Sequence, residues 1–226
     1  MNLYHGLKGK KKMKKAVIFD LDGTLVNSIY DLAYSCNYAL EKVGQPPYDL
    51  DKYRYFVGNG IPVLIERVVN GINRPDLYDE VFKIFNDYYA EHYVDKTKAY
   101  DGIFDLLNFL KEKGLKIAIL SNKAHRFSVE VAEKIFGKDY FDIVFGLRDG
   151  VPAKPAPDAV FEIMEKLNVT KEDCLYVGDT GADMQTGNNA GVKTIGVLWG
   201  FREKEELVEN NAKVIVSHPS EIKELI

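Results

Sequence analysis

Two aspartates stand two residues apart in Phe19-Asp20-Leu21-Asp22-Gly23-Thr24, directly after the apolar run Ala16-Val17-Ile18. The run reads as the end of a buried strand entering a loop. Side chains two apart on extended backbone share a face, so Asp20 and Asp22 are expected to look toward one point beyond the strand's carboxyl end. Two carboxylates at one point repel, and a cation between them is the simplest remedy. An oxygen-only ligand set favours a hard ion such as Mg²⁺, and Gly23 lets backbone approach whatever sits there. The same residues also make an ordinary polar turn, since Asp-Gly is common turn chemistry.

Further polar groups follow later apolar runs. Ser121-Asn122 comes after residues 115–120, Lys154 lies within Pro152-Ala153-Lys154-Pro155-Ala156-Pro157, and Gly178-Asp179-Thr180 with Asp183 follows 174–177. Each has a plain structural reading. Ser121 could be a helix N-cap, Lys154 a solvated loop lysine, Asp179 a turn residue and Asp183 an acid favoured in a first helical turn. The prolines around Lys154 stiffen its backbone and fix where that side chain points. Ligands of open parallel sheets bind beyond the carboxyl ends of the strands, and all these groups fall at or beyond such ends. Carboxylates for a cation, one ammonium, one hydroxyl and glycine-freed amides together describe a phosphate site with a metal.

The elements that must position these groups follow from apolar spacing. Ile29, Leu32, Ala33, Cys36, Leu40 and Val43 predict a helix, with Ser28 and Asp31 as its capping box and Gly44 and Pro46-Pro47 as its end. Further helices are expected at 50–56, from Ile61 with Pro62 in the first turn, and over 75–93, so residues 27–96 read as all helix. From Tyr100 onward helices alternate with strands at 115–120, 143–145, 174–177, 193–197 and 214–216, before a terminal helix. Such alternation means a parallel sheet covered on both faces. The expected fold class is α/β, a Rossmann-like doubly wound parallel sheet with an inserted all-helical cap. The core takes 14–26 and 97–226, the cap 27–96, and residues 1–13 a disordered basic extension.

Composition sets the outer limits. With 226 residues, 46% apolar and 28% charged, the chain suits one large domain or a domain with an insertion. No apolar run approaches the roughly 18 residues a membrane span needs, so no membrane association is expected. Residues 1–15 hold six lysines and no acid, yet no aromatic interleaves with them and the body behind is acidic. A tail is expected there rather than a nucleic-acid patch, and Met13 is a plausible true start. Cys36 and Cys174 lie within apolar segments, as buried free thiols of a reducing, cytoplasmic setting.

With these segments in order, the chain resembles the haloacid dehalogenase-like hydrolases and, among them, phosphoglycolate phosphatases with a small helical cap. The resemblance covers 14–226. It rests on Asp20-Leu21-Asp22-Gly23-Thr24, Ser121-Asn122-Lys123, Lys154-Pro155-Ala156-Pro157, and Gly178-Asp179-Thr180 with Asp183. Val57-Gly58-Asn59-Gly60 and Gly196-Val197-Leu198-Trp199-Gly200-Phe201 match the subgroup, while Asn27 stands where such proteins often carry Asp.

The resemblance implies a Mg²⁺-dependent phosphatase. Asp20 is then the nucleophile that forms an aspartyl-phosphate, and Asp22 the acid that protonates the leaving alkoxide and later the base for water. Mg²⁺ would take the Asp20 carboxylate, the Asp22 backbone carbonyl and Asp179, with Asp183 a ligand or an orienting neighbour. Gly23, Thr24, Ser121, Asn122 and Lys154 would surround the phosphate. The cap would meet the rest of a small phosphorylated metabolite, for which Arg54, Asn59, Arg67 and Arg74 are candidates. No nucleic-acid partner is implied, and the chain is expected as a monomer or homodimer. His92 and His125 read as structural or exposed. A sugar-phosphate mutase of the β-phosphoglucomutase kind, a pyrophosphatase and a nucleotidase use the same core. A dehalogenase has no need of Asp22. From a different class, a phospho-receiver domain is poorly suited by Asp22 and the helical insertion, and a catalytically silent binding protein by the intact motif set.

Overall fold

The strand that leads into Asp20 is buried throughout and has a parallel neighbour on each side. In this computed structural model, which describes residues 13–226, the strands are β1 (Ala16–Phe19), β2 (Val26–Asn27), β3 (Lys98–Ala99), β4 (Lys116–Ala124), β5 (Ile143–Leu147), β6 (Cys174–Gly178), β7 (Lys193–Val197) and β8 (Val214–Val216). Apart from Met13, the extension expected over 1–13 lies outside the described residues. Six strands form one sheet in the order β5-β4-β1-β6-β7-β8, each pair parallel. After β1 the chain builds outward through β4 and β5, then crosses back to β6. The strand order therefore reverses between β1 and β6, which is where such sheets open a ligand crevice. Asp20 and Asp179 follow those two strands.

Alternation along the strands divides the core. Val17, Phe19, Ile117, Ile119, Leu175 and Val177 face one side, with Leu106, Leu107 and Leu110 of α5 (Ile103–Glu112). Ala16, Ile18, Ala118, Leu120 and Tyr176 face the other, with Ala159, Val160 and Ile163 of α7 (Asp158–Leu167). The remaining core helices are α6 (His125–Phe136), α8 (Gly181–Asn189) and α9 (Lys204–Glu209). The short α9 carries too little periodicity to be read from sequence, and the expected terminal helix is a 3-10 helix over Pro219–Leu225. Among the described residues no helix is long and apolar enough to cross a membrane.

The insertion holds α1 (Ile29–Lys42), α2 (Leu50–Phe56), α3 (Ile61–Gly71), a 3-10 turn at Pro75–Leu77 and α4 (Tyr78–His92). Its outgoing and returning crossings pair antiparallel, Val26 with Ala99 and Asn27 with Lys98. Two residues per strand leave no periodic trace, so sequence does not announce this pair. The expected capping box is absent. Ser28 makes no cap bond and its buried hydroxyl has no partner. Asp31 turns instead to the returning crossing, accepting from the amides of Lys96 and Thr97 at 2.9 and 2.8 Å and from the Thr97 hydroxyl at 2.6 Å. A buried carboxylate takes the site with the most donors, and that choice ties the two crossings together.

Candidate active site

The Asp20 amide donates to the Val177 carbonyl at 2.9 Å, which sets Asp20 beside the end of β6. One carboxylate oxygen each from Asp20, Asp179 and Asp183 lies within 4.8 Å of the others, and all three residues are buried. Lys154 stands beside them, 2.9 Å from Asp20 Oδ1 and 2.7 Å from Asp183 Oδ1. The sequence places Asp183 through helix capping: Thr180 caps α8, and its amide and hydroxyl reach Asp183 Oδ2 at 3.0 and 2.7 Å. Both Asp183 oxygens are thus engaged, which suits an orienting role toward Lys154. Asp179 is held by the Thr24 hydroxyl on Oδ1 at 3.0 Å and the Phe201 amide on Oδ2 at 2.8 Å. Gly23, at φ +89°, and Gly200 press against this carboxylate, where an added Cβ would overlap it. Gly23 and Thr24, expected at the phosphate, therefore shape and hold Asp179.

Charge in this corner is unbalanced. Burial, then Asp183, push the Asp20 carboxyl well above the usual range despite Lys154. Burial, then Asp183, bring Asp179 up to about 7. Burial opposes the Lys154 charge, but Asp183 and Asp20 outweigh it and hold the ammonium above its ordinary value. Lys154 pairs with Asp20 and Asp183, while Asp179 has only the charge of Arg202 in its favour, and buried Asp20 Oδ1 has Lys154 beside it yet accepts no aligned hydrogen bond. An all-oxygen set with surplus negative charge and an unsatisfied acceptor fits a hard divalent cation.

The Asp22 carboxylate does not join that group, which leaves only its backbone carbonyl as the expected cation contact. The chain leaves the extended conformation at Leu21, whose carbonyl accepts from Leu25 and Val26, so the two-residue alternation stops before Asp22. Its carboxylate pairs with Lys123 Nζ at 3.2 and 3.1 Å, and the same nitrogen lies 2.7 Å from Tyr89 Oη of α4. Burial works against the Lys123 charge, while Asp22 and then Tyr89 hold the ammonium above its ordinary value. Lys123 belongs to a segment the sequence brings forward, but strand alternation would turn it away from Asn122. Tyr89 has no motif to mark it.

Asp20 and Asp22 do line one cavity, of about 40 Å³, with Ser121, Asn122 and Lys123 from the core and Leu32, Val57, Gly58, Gly60, Ile61 and Leu64 from the insertion. Ser121 is inside β4 and caps nothing; Ala124 precedes α6. Asn122 accepts from the Lys154 amide at 3.0 Å and donates to the Gly58 carbonyl at 3.2 Å, linking the lysine loop to the insertion. Arg54, Asn59 and Arg67 are not among the lining residues. Arg54 donates to the Gly200 carbonyl at 2.8 Å, and Arg67 donates at 2.8 Å to both the Phe56 carbonyl and Asn59 Oδ1. Arg74 pairs with Asp76 on the surface. Arg202, unmarked in the sequence, donates to the Val57 carbonyl at 2.8 Å. His92 pairs with exposed Asp95, His125 accepts from the Gly146 amide, and Cys36 and Cys174 are buried free thiols.

The sequence pattern of the haloacid dehalogenase-like hydrolase family matches residues 17–197. A phosphoglycolate phosphatase from Aquifex aeolicus is 34% identical over 215 residues, spanning 94% of this chain and 96% of that protein. One from Pseudomonas putida is 32% identical over 210 residues, spanning 90% and 76%. The solved structure of a proposed phosphoglycolate phosphatase from Lactobacillus delbrueckii subsp. bulgaricus has a TM-score of 0.88 at 33% identity, covering 95% of this chain and 98% of that one. β-Phosphoglucomutase from Clostridium difficile shares the fold, with a TM-score of 0.76 at 23% identity over 94% and 96%. The family pattern takes in β1 through β7, and with it every carboxylate and lysine around the cavity, so this chain is an enzyme of the haloacid dehalogenase-like hydrolase family.

Proposed function

We propose that the enzyme is a Mg²⁺-dependent phosphomonoesterase that works through an aspartyl-phosphate on Asp20, with 2-phosphoglycolate as its substrate. The convergence of Asp20, Asp179 and Asp183 around Lys154 carries the reading. Asp20 is the carboxylate common to that group and the cavity, so it is the one that can meet both a cation and a phosphorus atom. Attack by Asp20 expels an alkoxide, Asp22 protonates it, and Asp22 then removes a proton from the water that cleaves the acyl phosphate. Lys154 and Ser121 spread charge from the phosphoryl oxygens, and such positioning and neutralisation account for most of phosphoryl-transfer catalysis. Mg²⁺ at Asp20 and Asp179 would neutralise anionic oxygens on both nucleophile and substrate.

The insertion's wall favours a short substrate over a sugar. Leu32, Val57, Ile61 and Leu64 give sugar hydroxyls nothing to bond. Arg54 and Arg67 are engaged elsewhere. A two-carbon acid would instead place its carboxylate at the start of α3, where Gly60 and Ile61 line the cavity and no side chain caps the helix. The names of the relatives at 32–34% identity agree with that substrate. Phosphate release with Mg²⁺ from 2-phosphoglycolate, hexose phosphates, nucleotides and pyrophosphate tests the reading. The expected result is highest kcat/KM on 2-phosphoglycolate; isomerised hexose phosphate with little free phosphate makes the enzyme a mutase instead.

A further inference from the structure

Lys123 is a buried cation to which the reading above gives no duty. The pairing of β4 with β5 shifts between Leu120 and Ala124. Because of that bulge Ser121, Asn122 and Lys123 all line the cavity, which an alternating strand cannot arrange. An ammonium has three donors, and here all are used: both Asp22 oxygens at 3.2 and 3.1 Å, and Tyr89 Oη at 2.7 Å. Lys123 is therefore not free to bind the substrate's own anionic groups. Tyr89 is itself locked, stacked on Phe85 at 5.1 Å and edge-on to Phe127 of α6 at 5.3 Å.

A single nitrogen bonded to both Asp22 oxygens fixes the plane of that carboxylate, since rotation about its Cβ–Cγ bond would break one contact. A buried ion pair of this kind adds little net stability compared with apolar packing, so stability alone does not account for one at a cavity wall. We propose that Lys123 and Tyr89 are positioning residues for Asp22, the lysine fixing its carboxylate at the cavity and the tyrosine making that setting depend on α4 packing against the core. This rests on Asp22 being the acid of the phosphatase reading.

The test compares wild type, Lys123→Met, Tyr89→Phe and Asp22→Asn with Mg²⁺ on two esters. One is the alkyl phosphate turned over fastest in the release screen, whose leaving group needs a proton; the other is p-nitrophenyl phosphate, whose leaving group does not. General-acid assistance contributes about 10²–10⁴-fold, so Lys123→Met should lose about 30–300-fold in kcat on the alkyl ester and under about 5-fold on the nitrophenyl ester, with KM within about threefold. Tyr89→Phe removes one bond and keeps the ring, so it should lose about 3–10-fold with the same split. It carries the test alone if Lys123→Met fails to fold. Equal losses on both esters, or a raised KM with kcat unchanged, overturn the proposal. If Asp22→Asn shows the split and the other two variants do not, the positioning role alone falls. If Asp22→Asn shows none, the acid assignment falls and the positioning role goes with it.

Discussion

Asp20 and Asp22 are near neighbours in the chain, and the two sides of the cavity they occupy are built differently. On the Asp20 side the partners named all come from the α/β core, its loops and the first turn of α8: Lys154, Asp179, Asp183, Thr24 and Thr180. Three buried carboxylates crowd there and Lys154 pairs with only two of them, so the corner is under electrostatic stress that a cation would relieve. On the Asp22 side one carboxylate meets one lysine and one phenol, the charges balance, and the phenol comes from the insertion. The Asp20 corner thus carries surplus negative charge, which suits the proposed cation, while the Asp22 carboxylate finds its cation within the protein, in a setting that depends on α4. Groups that bind a cation can be left short of partners, whereas a group that hands over a proton must be aimed beforehand.

The largest expected effect strikes the ligand-hungry corner. Asp20→Asn should lower Mg²⁺-dependent phosphate release by at least about 10⁴-fold, as loss of a covalent nucleophile does. Its metal-free thermal midpoint should hold or rise, because one of three crowded buried carboxylates becomes neutral. Retained turnover would remove Asp20 from the nucleophile's place. Lys154→Met should cost activity and also about 3–5 kcal/mol in urea unfolding, since it strands Asp20 and Asp183 without their cation. A loss below about 1 kcal/mol would mean that these carboxylates take up protons at little expense.

pH separates the corners further. Asp179 titrates near 7 in the folded chain against about 4 unfolded, so between those values the folded state holds more protons. Metal-free stability should therefore fall as pH rises through that window and level off above it. Asp20 shifts in the same direction and adds to the fall. Mg²⁺ competes with those protons, so the rise in melting temperature it causes should grow from pH 5 to pH 8. A Mg²⁺ shift independent of pH would break the comparison. The smallest effect belongs to the contacts between insertion and core. Arg54→Ala removes one bond to the Gly200 carbonyl and should raise KM about two- to fivefold with kcat nearly unchanged, worth about 0.5–1 kcal/mol. A large fall in kcat would make Arg54 part of the chemistry.

Much of this architecture was legible beforehand because it is local. Short apolar runs rich in β-branched residues and bounded by turn signals read as strands from local sequence, and Val17 and Phe19 against Ala16 and Ile18 follow from the pleat. Asp183 in the first turn of α8 follows from Thr180 as its cap. Ser28 and Asp31 carried the same local signature and were overruled, because Lys96 and Thr97 offered a buried carboxylate more donors than its own helix could.

The residue types determined the chemistry: aspartates at the ends of strands, a lysine held between prolines, a serine after an apolar run, and glycines where backbone or carboxylates must come close. Tertiary structure decided which cation each aspartate meets. Asp22 faces Lys123 because the turn at Leu21 and the bulge in β4 each break a strand's alternation, and Tyr89 reaches the same nitrogen from the far end of a helical insertion. Partners so distant in sequence leave no mark in composition or periodicity, since their meeting depends on how helices and sheet pack.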